Sequence, residues 1–220
     1  MKFNRILSSM HRLNVDNALA EINFHGRVID VGGRKADKRG QFLQPENQVE
    51  KWEYVNINPD NKPDYLCSAE NIPVGDAIYD IALLSEVLEH LERPEEVIDE
   101  ITRILRTGGI LYITVPFMFH EHGSPYDFQR WTRFKIEKLF VEKGYKIESL
   151  KPLGGVISIL YDNIKIYLSR ESNRQPVIKK LLFKIINKLL QMFSNILYRM
   201  DCKVNKDYIA SGFFIKVVKL

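Results

Sequence analysis

Acid–base chemistry is most available in residues 117–131, where three titratable side chains lie close together in the chain. His120, His122 and Asp127 could each act as a general base, because a histidine or a carboxylate can accept the proton of a reacting hydroxyl group. Two histidines separated by one residue could also bind a metal ion, but this spacing alone is a weak indication, and we predict no metal. We therefore predict that this segment carries the catalytic residues.

Substrate recognition could use the same segment through Tyr126, Arg130 and Trp131. The guanidinium group of Arg130 could bind a carboxylate or phosphate, and the two aromatic rings could contact an organic substrate. Structural roles compete with this interpretation. Asp127 and Arg130 could pair with each other, and the rings could anchor the loop onto the core.

A second group of chemically useful residues follows runs that are typical of buried strands. Asp30, Gly32 and Gly33 end the first of these runs, and glycines there let a ligand approach the backbone closely. Asn58 follows the second run, where a polar residue faces the ribose hydroxyls in nucleotide-binding α/β folds. Arg34 interrupts the glycine spacing of the dinucleotide-binding motif, so that motif is absent.

Two further runs end in the same way. Ser68 and Ala69 follow a short third strand, and Ser85 and Glu86 follow a fourth. The carboxyl ends of parallel strands share one edge of a sheet, so these residues should meet those of the first two strands. Beyond them, we predict that Glu89 is a solvated residue of a first helical turn and that His90 packs against or caps this turn.

These residues must be positioned by strands and helices that alternate along the chain. The predicted strands cover residues 27–31, 52–57, 65–67, 79–84, 110–115, 145–150 and 208–218. The predicted helices cover residues 1–24, the segment from Pro94 to the Gly108-Gly109 pair, residues 135–141 with Thr132 as N-cap, 156–170 and 176–200. Such alternation indicates an α/β fold with a mostly parallel sheet and helices on both faces.

Composition limits the class of protein. The 220 residues are 45% hydrophobic, which suits one globular domain with a core of its own. The two cysteines, Cys67 and Cys202, exclude a disulfide scaffold. Because we find no secretory signal and no transmembrane run, we expect a cytoplasmic protein, with peripheral attachment to the inner membrane face as an alternative.

The net charge of +4 is unevenly distributed. Residues 172–200 contain six basic and no acidic residues, which leaves −2 for the rest of the chain. The apolar stripe of this segment is wider than a helix on one sheet face needs. It could pack as a lid on its own domain, contact a second copy in a homodimer, or lie on an anionic membrane surface. We expect no specific nucleic acid partner, because few aromatic residues are available for stacking.

Four motifs together resemble a known family. They are residues 28–33, 69–73, 79–91 and 104–111. In this order they are similar to the class I S-adenosylmethionine-dependent methyltransferases, in particular the small-molecule branch of methyltransferase type 11. The resemblance covers about residues 25–155 and the final strand. It implies a single doubly wound, Rossmann-like domain with a seven-stranded, mostly parallel sheet. Its parts would be a helical lead-in (1–24), a cofactor-binding core (25–155), an inserted helical pair (156–205) and a last strand (206–220).

The resemblance also implies a cofactor and its site. S-adenosylmethionine would bind Asp30, Gly32 and Gly33 by its methionine and ribose, Asn58 by its ribose, Ser68 and Ala69 by its adenine, and Ser85 and Glu86 near its sulfonium. The expected reaction is methyl transfer to a small-molecule or lipid-linked acceptor, at oxygen. Arg34, Asn58 and Ser68 depart from the family pattern. These departures favour one alternative function, a non-catalytic interaction protein with this fold. The other alternative is an RNA or protein methyltransferase, which a broad basic surface would favour and the charge of −2 outside the basic segment argues against.

Overall fold

The fold is built around one sheet, seen in a computed structural model that describes residues 9–36, 40–172, 174–204 and 208–220. The strands are β1 (Arg27–Val31), β2 (Lys51–Asn56), β3 (Tyr65–Leu66), β4 (Tyr79–Ser85), β5 (Leu105–Pro116), β6 (Tyr145–Leu153) and β7 (Gly212–Lys219). The helices are α1 (Met10–Ala20), α2 (Pro94–Ile104), α3 (Arg133–Glu142), α4 (Val156–Ser172) and α5 (Val177–Asp201). Short 3₁₀ turns cover Glu46–Gln48, Pro59–Asn61 and Leu88–His90.

The seven strands lie in the order β3-β2-β1-β4-β5-β7-β6. The strands from β3 to β5 pair in parallel, and β7 runs antiparallel to both of its neighbours. This arrangement confirms the predicted α/β fold with a mostly parallel seven-stranded sheet. It also confirms the helical pair before the last strand, because α4 and α5 lie between β6 and β7 in the chain.

The pleat of the strands sends alternate side chains into two apolar layers. Ile29 and Ala82 face one layer, which α2 and α3 cover. Val28 and Leu83 face the other layer, which α1 covers together with Phe42. Strands buried on both faces read as continuous apolar runs, which explains why the sequence shows them clearly.

Helix boundaries follow local chemistry. Pro94 is the first residue of α2, and the Thr132 hydroxyl accepts the backbone N–H of Lys135 at the start of α3, both as predicted. The predicted end of α2 at Gly108-Gly109 is wrong. The helix ends at Ile104, and the two glycines lie inside β5, where the register with β4 shifts between Leu105 and Ile110. The backbone bends there, and an added Gly109 Cβ would lie 2.7 Å from the Arg106 carbonyl oxygen.

Two other predicted elements have different bounds. The lead-in helix ends at Ala20, and its predicted first residues, 1–8, lie outside the described part of the chain. The last strand begins at Gly212 rather than residue 208, since pairing with β5 starts only there.

Helix α5 leaves much of its apolar face in contact with solvent. Ile178 is 84% exposed, and exposed apolar residues recur along its length at helical spacing. They are Leu181, Leu182, Ile185, Leu189, Met192, Phe193 and Ile196. Among the described residues, no helix combines the length and the apolar character that crossing a bilayer requires.

Candidate active site

Two adjoining cavities open at the carboxyl ends of the parallel strands. Their volumes are about 640 Å³ and about 380 Å³. They share part of their lining and so form one cleft; the shared residues are Gly32, Asn56, Ile57, Val87, His90 and Tyr126. The cleft lies where the strand order reverses between β1 and β4, which is where open α/β sheets bind ligands.

All eight residues predicted to bind a cofactor line this cleft. The larger cavity is lined by Asp30, Gly32, Gly33, Asn58, Ser85 and Glu86, and the smaller by Ser68 and Ala69. The sheet therefore brings the ends of four strands to one place, as their order in the sequence predicts. We call Asp30, Gly32, Gly33, Asn56 and Ser68 the glycine wall.

The turn after β1 depends on its glycines. Gly32 has a φ of 80°, and an added Cβ would lie 2.5 Å from Cγ2 of Val87. An added Cβ on Gly33 would lie 2.3 Å from the carboxyl carbon of Asp30. A side chain would therefore collide with Val87 at position 32 or with Asp30 at position 33, and the bare backbone keeps the cleft open.

Asn56 holds the end of β2 against this turn. Its Nδ2 donates to the carbonyl oxygens of Gly32 and Gly33 at 3.1 and 2.9 Å, and its Oδ1 accepts the N–H of Asn58 at 2.9 Å. Asn58 is not the residue that ends the strand, because β2 stops at Asn56. Asn58 instead caps the turn Pro59–Asn61, where its Oδ1 accepts the N–H of Asp60.

The opposite side of the larger cavity carries a buried ion pair. Glu86, which has a φ of 57°, places Oε2 2.8 Å from Nε2 of His11 in α1. Nδ1 of His11 lies 2.9 Å from the Ser211 hydroxyl. Burial opposes both charges, but the two groups stabilise each other, so the pKa of His11 is raised and that of Glu86 is lowered.

Glu89 is buried, so its predicted place on a solvated helical turn is wrong. Its side chain is 0% exposed, because Leu88–His90 is a short 3₁₀ turn beneath the loop that follows β5. The Phe128 N–H donates to the Glu89 carbonyl oxygen, which fixes the loop over this turn. Burial raises the pKa of the Glu89 carboxyl group.

Two histidines lie beside Glu89. Nε2 of His90 is 3.6 Å and Nε2 of His122 is 3.7 Å from Glu89 Oε1. The Nδ1 atom of His90 lies 2.5 Å from the Tyr126 carbonyl oxygen. Both histidines line the larger cavity. We call His11, Glu86, Glu89, His90 and His122 the histidine wall.

Asp127 and Arg130 pair with each other. The guanidinium group donates two hydrogen bonds to the carboxylate, at 2.5 and 2.8 Å, and the His122 N–H donates a third at 2.8 Å. Arg130 thereby lowers the pKa of Asp127 to about 2. Such a carboxylate is a poor proton acceptor, so its contacts fit a residue that positions His122.

His120 lies behind the histidine wall. Its ring packs against Phe119, with 4.2 Å between ring centroids, and Phe119 also contacts the rings of His11 and His122. Burial, together with the neighbouring His122, lowers the pKa of His120. The adjacent Glu89 carboxylate raises the pKa of His122 against the opposing effect of burial, and Asp127 adds to the rise.

The predicted substrate-binding residues fall into different environments. Tyr126 is 64% exposed and lines both cavities, so it can meet a ligand. Trp131 is 2% exposed and packs in the core, which contradicts its predicted contact with substrate. A large apolar ring gains more from burial at the foot of α3 than from exposure at the cleft.

Sequence reasoning missed three residues of the site. His11 belongs to a helix about 75 residues from its partner Glu86, and no local pattern links the two. Glu89 looked like an exposed residue of a helix start. Asn56 could have been found, because it is the polar residue near the end of the predicted strand 52–57, two residues before Asn58.

Part of the chain is similar to known proteins. Residues 44–113 match the model of the family described as "Methyltransferase domain". An uncharacterized protein from Methanocaldococcus jannaschii is 30% identical over 90 residues, which cover 40% of this chain. The match spans 44% of that protein, less than half of its length.

Solved structures share the fold at low identity. A candidate sarcosine dimethylglycine methyltransferase from Galdieria sulphuraria has a TM-score of 0.59 and 18% identity, covering 94% of this chain and 85% of its own. A phosphoethanolamine N-methyltransferase from Haemonchus contortus, bound to S-adenosylhomocysteine, has a TM-score of 0.52 and 15% identity, and the match covers 94% of this chain and 52% of that protein. The (4+2)-cyclase SpnF has a TM-score of 0.56 and 14% identity, and the match covers 99% of this chain and 84% of the cyclase. Taken with the strand order, these matches show that residues 44–113 are similar to a methyltransferase domain and that the chain has the fold of the class I methyltransferases.

Proposed function

We propose that this chain is an S-adenosylmethionine-dependent methyltransferase that acts on a small-molecule acceptor in the cleft. One observation carries the proposal. Eight residues chosen from the sequence for a cofactor site come from four separated segments and line one continuous cleft. The matched family points to the same reaction. The cyclase shows that the fold alone does not decide the activity, so the proposal rests on the lining of the cleft.

The lining suits S-adenosylmethionine in shape and charge. The smaller cavity, with Val55, Ala69 and Leu91, offers an apolar slot for a flat base with Ser68 at its edge. The larger cavity carries the carboxylates of Asp30 and Glu86, which favour an ammonium group and a sulfonium centre. When bound there, the cofactor would supply a methyl group that an acceptor atom can displace.

The histidine wall would face the acceptor. His122 and Tyr126 line the larger cavity, and the ring of His120 lies behind them, with its centroid 6.3 Å from that of His122. Transfer to an oxygen atom requires loss of its proton, and we assign this proton to the histidines rather than to Asp127, which Arg130 keeps charged. The site mainly contributes proximity, by holding acceptor and cofactor in one cleft.

Calorimetry tests the proposed cofactor. S-adenosylmethionine and S-adenosylhomocysteine should both bind, and Asp30→Asn should weaken binding at least about 10-fold, since one charge-assisted contact contributes ~1.5–3 kcal/mol. Asp99→Asn is the matched control, because its carboxylate pairs with Lys143 on the surface of α2. No binding of either ligand by the wild-type protein would contradict the proposal.

We further propose that α5 lies on an anionic membrane surface and brings lipid-linked acceptors to the cleft. The support is the exposed apolar face of this helix, flanked by exposed basic residues without an acidic residue between 172 and 200. An interfacial helix combines an apolar face with lysines in this way. The charge of this surface is complementary to anionic lipid.

Flotation with phosphatidylserine-containing vesicles tests this surface. The wild-type protein should float at low salt, and replacing Lys179, Lys184 and Lys188 by Gln should reduce the bound fraction, since each contributes ~1 kcal/mol near such a membrane. A variant with Gln at Lys138, Lys146 and Lys151 is the control of equal charge. A stable dimer that does not bind vesicles would instead assign the apolar face to a second copy of the chain.

A further inference from the structure

An unsatisfied carboxylate lies at the centre of the histidine wall. Glu89 is fully buried, and within the described residues neither Oε1 nor Oε2 has a hydrogen-bond partner. Nearly all buried polar groups in proteins are hydrogen-bonded, and a charged one without a partner is costly. Beyond the two histidine nitrogens at 3.6 and 3.7 Å, the described residues supply no partner for this carboxylate, so it is available to a bound ligand.

The two neighbouring histidines are oriented to share that ligand. The Tyr126 carbonyl oxygen, 2.5 Å from His90 Nδ1, fixes the proton on this nitrogen and leaves a lone pair on Nε2. Nδ1 of His122 likewise faces oxygen atoms, the His120 carbonyl at 3.3 Å and Asp127 Oδ2 at 3.4 Å. Each Nε2 is turned toward Glu89. Metal-bound histidines typically donate their second N–H to a carbonyl or carboxylate in this way.

The three groups are spaced for one ion. One ligand atom from each of Glu89, His90 and His122 lies within 4.8 Å of the others, and each Nε2 is within 3.7 Å of Glu89 Oε1. Ligands at ~2.0–2.1 Å from a tetrahedral ion are roughly 3.3 Å apart, so only small side-chain movements would be needed. We propose that Glu89, His90 and His122 form a binding site for a divalent transition-metal ion.

The ligand set and its surroundings define the class of ion. Two imidazoles and one carboxylate suit zinc, iron, cobalt, nickel or manganese, whereas calcium and magnesium prefer oxygen ligands alone. The turn that carries Glu89 and His90 is held in place, because the Gln129 side chain donates hydrogen bonds to the carbonyl oxygens of Leu88 and Leu91 on either side of them. Both histidines line the larger cavity, which leaves an open position toward it. Three protein ligands with an open position are typical of catalytic metal sites.

The site gives the reaction a substrate preference, a step that rests on the proposed methyl transfer. An acceptor oxygen bound at the open position would lose its proton more easily, because a divalent ion lowers the pKa of a bound hydroxyl group. His122 would then hold the ion, and the proton of the acceptor would leave to solvent through the open cleft. The acceptor class would be hydroxyl compounds that can coordinate a metal.

Cobalt binding tests the site directly. Tag-free, chelator-treated protein titrated with Co²⁺ should bind one ion and develop the visible absorption of a cobalt–imidazole centre. Glu89→Gln and His122→Asn should each weaken binding at least about 100-fold, since even changes behind the ligands typically cost ~10–100-fold. His25→Asn is the matched control. His25 is exposed and lies just before β1, so this variant should bind Co²⁺ like the wild-type protein.

The outcomes separate the two proposals. Absence of Co²⁺ binding, or unchanged affinity in His122→Asn, would overturn the metal site. Circular dichroism shows whether Glu89→Gln folds, and the partly exposed His122 supplies the test if it does not. Calorimetry on the same metal-free protein then shows whether S-adenosylmethionine binds. Cofactor binding without cobalt binding overturns only the metal site, and the reverse result overturns only the proposed methyl transfer.

Discussion

The two walls of the cleft are built on different physical principles. The glycine wall comes from the ends of neighbouring parallel strands, and its contacts are largely backbone atoms, as where Gly32 donates to the Val55 carbonyl oxygen. The histidine wall joins distant segments through ionisable groups, as where His11 reaches Glu86 and Ser211, 75 and 200 residues away. One wall is defined by shape and the other by buried charge.

This difference predicts how each wall responds to substitution. A substitution in the glycine wall acts through a steric collision or backbone strain, which lowers the free energy of unfolding by a few kcal/mol at most positions. A substitution in the histidine wall that removes one member of a buried ion pair destabilises the fold, because the other member keeps a buried charge without a partner of opposite sign. The histidine wall should therefore show the larger losses of stability, and the glycine wall the larger losses of cofactor affinity relative to stability.

The His11–Glu86 pair should show the largest effect. His11→Leu leaves Glu86 buried without its cation and should lower the free energy of unfolding by about 3–5 kcal/mol. Because the pKa of His11 is raised in the folded state, its charge stabilises the fold fully at pH values below 6.5, the ordinary pKa of histidine. This stabilisation is lost as the pH rises through the pKa of the folded state. The lowered pKa of Glu86 preserves the pair down to below 4.5.

Urea denaturation at about pH 6 and about pH 9 measures this dependence. The loss in His11→Leu should be greater at the lower pH, where the pair is charged on both sides. His25→Leu, at an exposed position, should change neither value. Equal losses at both pH values would show that His11 acts only through packing.

The Asp127–Arg130 pair should rank next. Arg130→Met leaves Asp127, whose side chain is 3% exposed, without its bidentate partner, and we expect a loss of about 3 kcal/mol. Arg93→Met removes an exposed pair with Glu96 and should cost about 0.5 kcal/mol or less. Thermal and urea unfolding compare the two. Similar small losses would mean that the loop holds Asp127 without its arginine.

The glycine wall should respond to Gly32→Ala with a smaller loss of stability. We expect about 1–3 kcal/mol from the positive φ, and loss of S-adenosylmethionine binding from the collision with Val87. Gly108→Ala is a matched control, because Gly108 has a φ of 76° and no atom within 4 Å of an added Cβ. If both variants retain cofactor affinity, the contact with Val87 does not shape the cleft.

Asn56 and Asn58 should give the smallest effects and decide which asparagine matters at the end of β2. Asn56→Ala removes two hydrogen bonds to the turn after β1 and should cost about 1 kcal/mol and several-fold in cofactor affinity. Asn58→Ala removes an exposed cap and should cost less in stability. Calorimetry and urea denaturation rank the two. A greater loss of affinity in Asn58→Ala would restore the sequence prediction for the ribose contact.

The glycine wall could be predicted from sequence, and the histidine wall could not. Asp30, Gly32 and Ser68 each follow an apolar run, and the rule that parallel strands end at one edge brings them together. The error at Asn58 was one of register, since the strand stops two residues earlier. Local pattern is sufficient here because the contacts are between consecutive elements.

Glu89 shows why the other wall escapes such reasoning. Its sequence context, four residues past the end of β4 and before a helix that begins at a proline, is that of an exposed helix start. Its burial is decided by the loop after β5, whose Phe128 and Gln129 bind the turn from 38 to 41 residues away. The His-x-His spacing was likewise uninformative, because the proposed partners of His122 lie in another segment.

The position of β7 has a consequence for the order in which the protein can assemble. β6 pairs only with β7 in the described sheet, and β7 is the last strand in the chain. During synthesis, β6 must therefore wait without a strand partner until Gly212–Lys219 has emerged and inserted beside β5. Ser211, which contacts His11, emerges just before that strand. The contact of Ser211 with His11, which belongs to the histidine wall, would thus form in the same late step that closes the sheet.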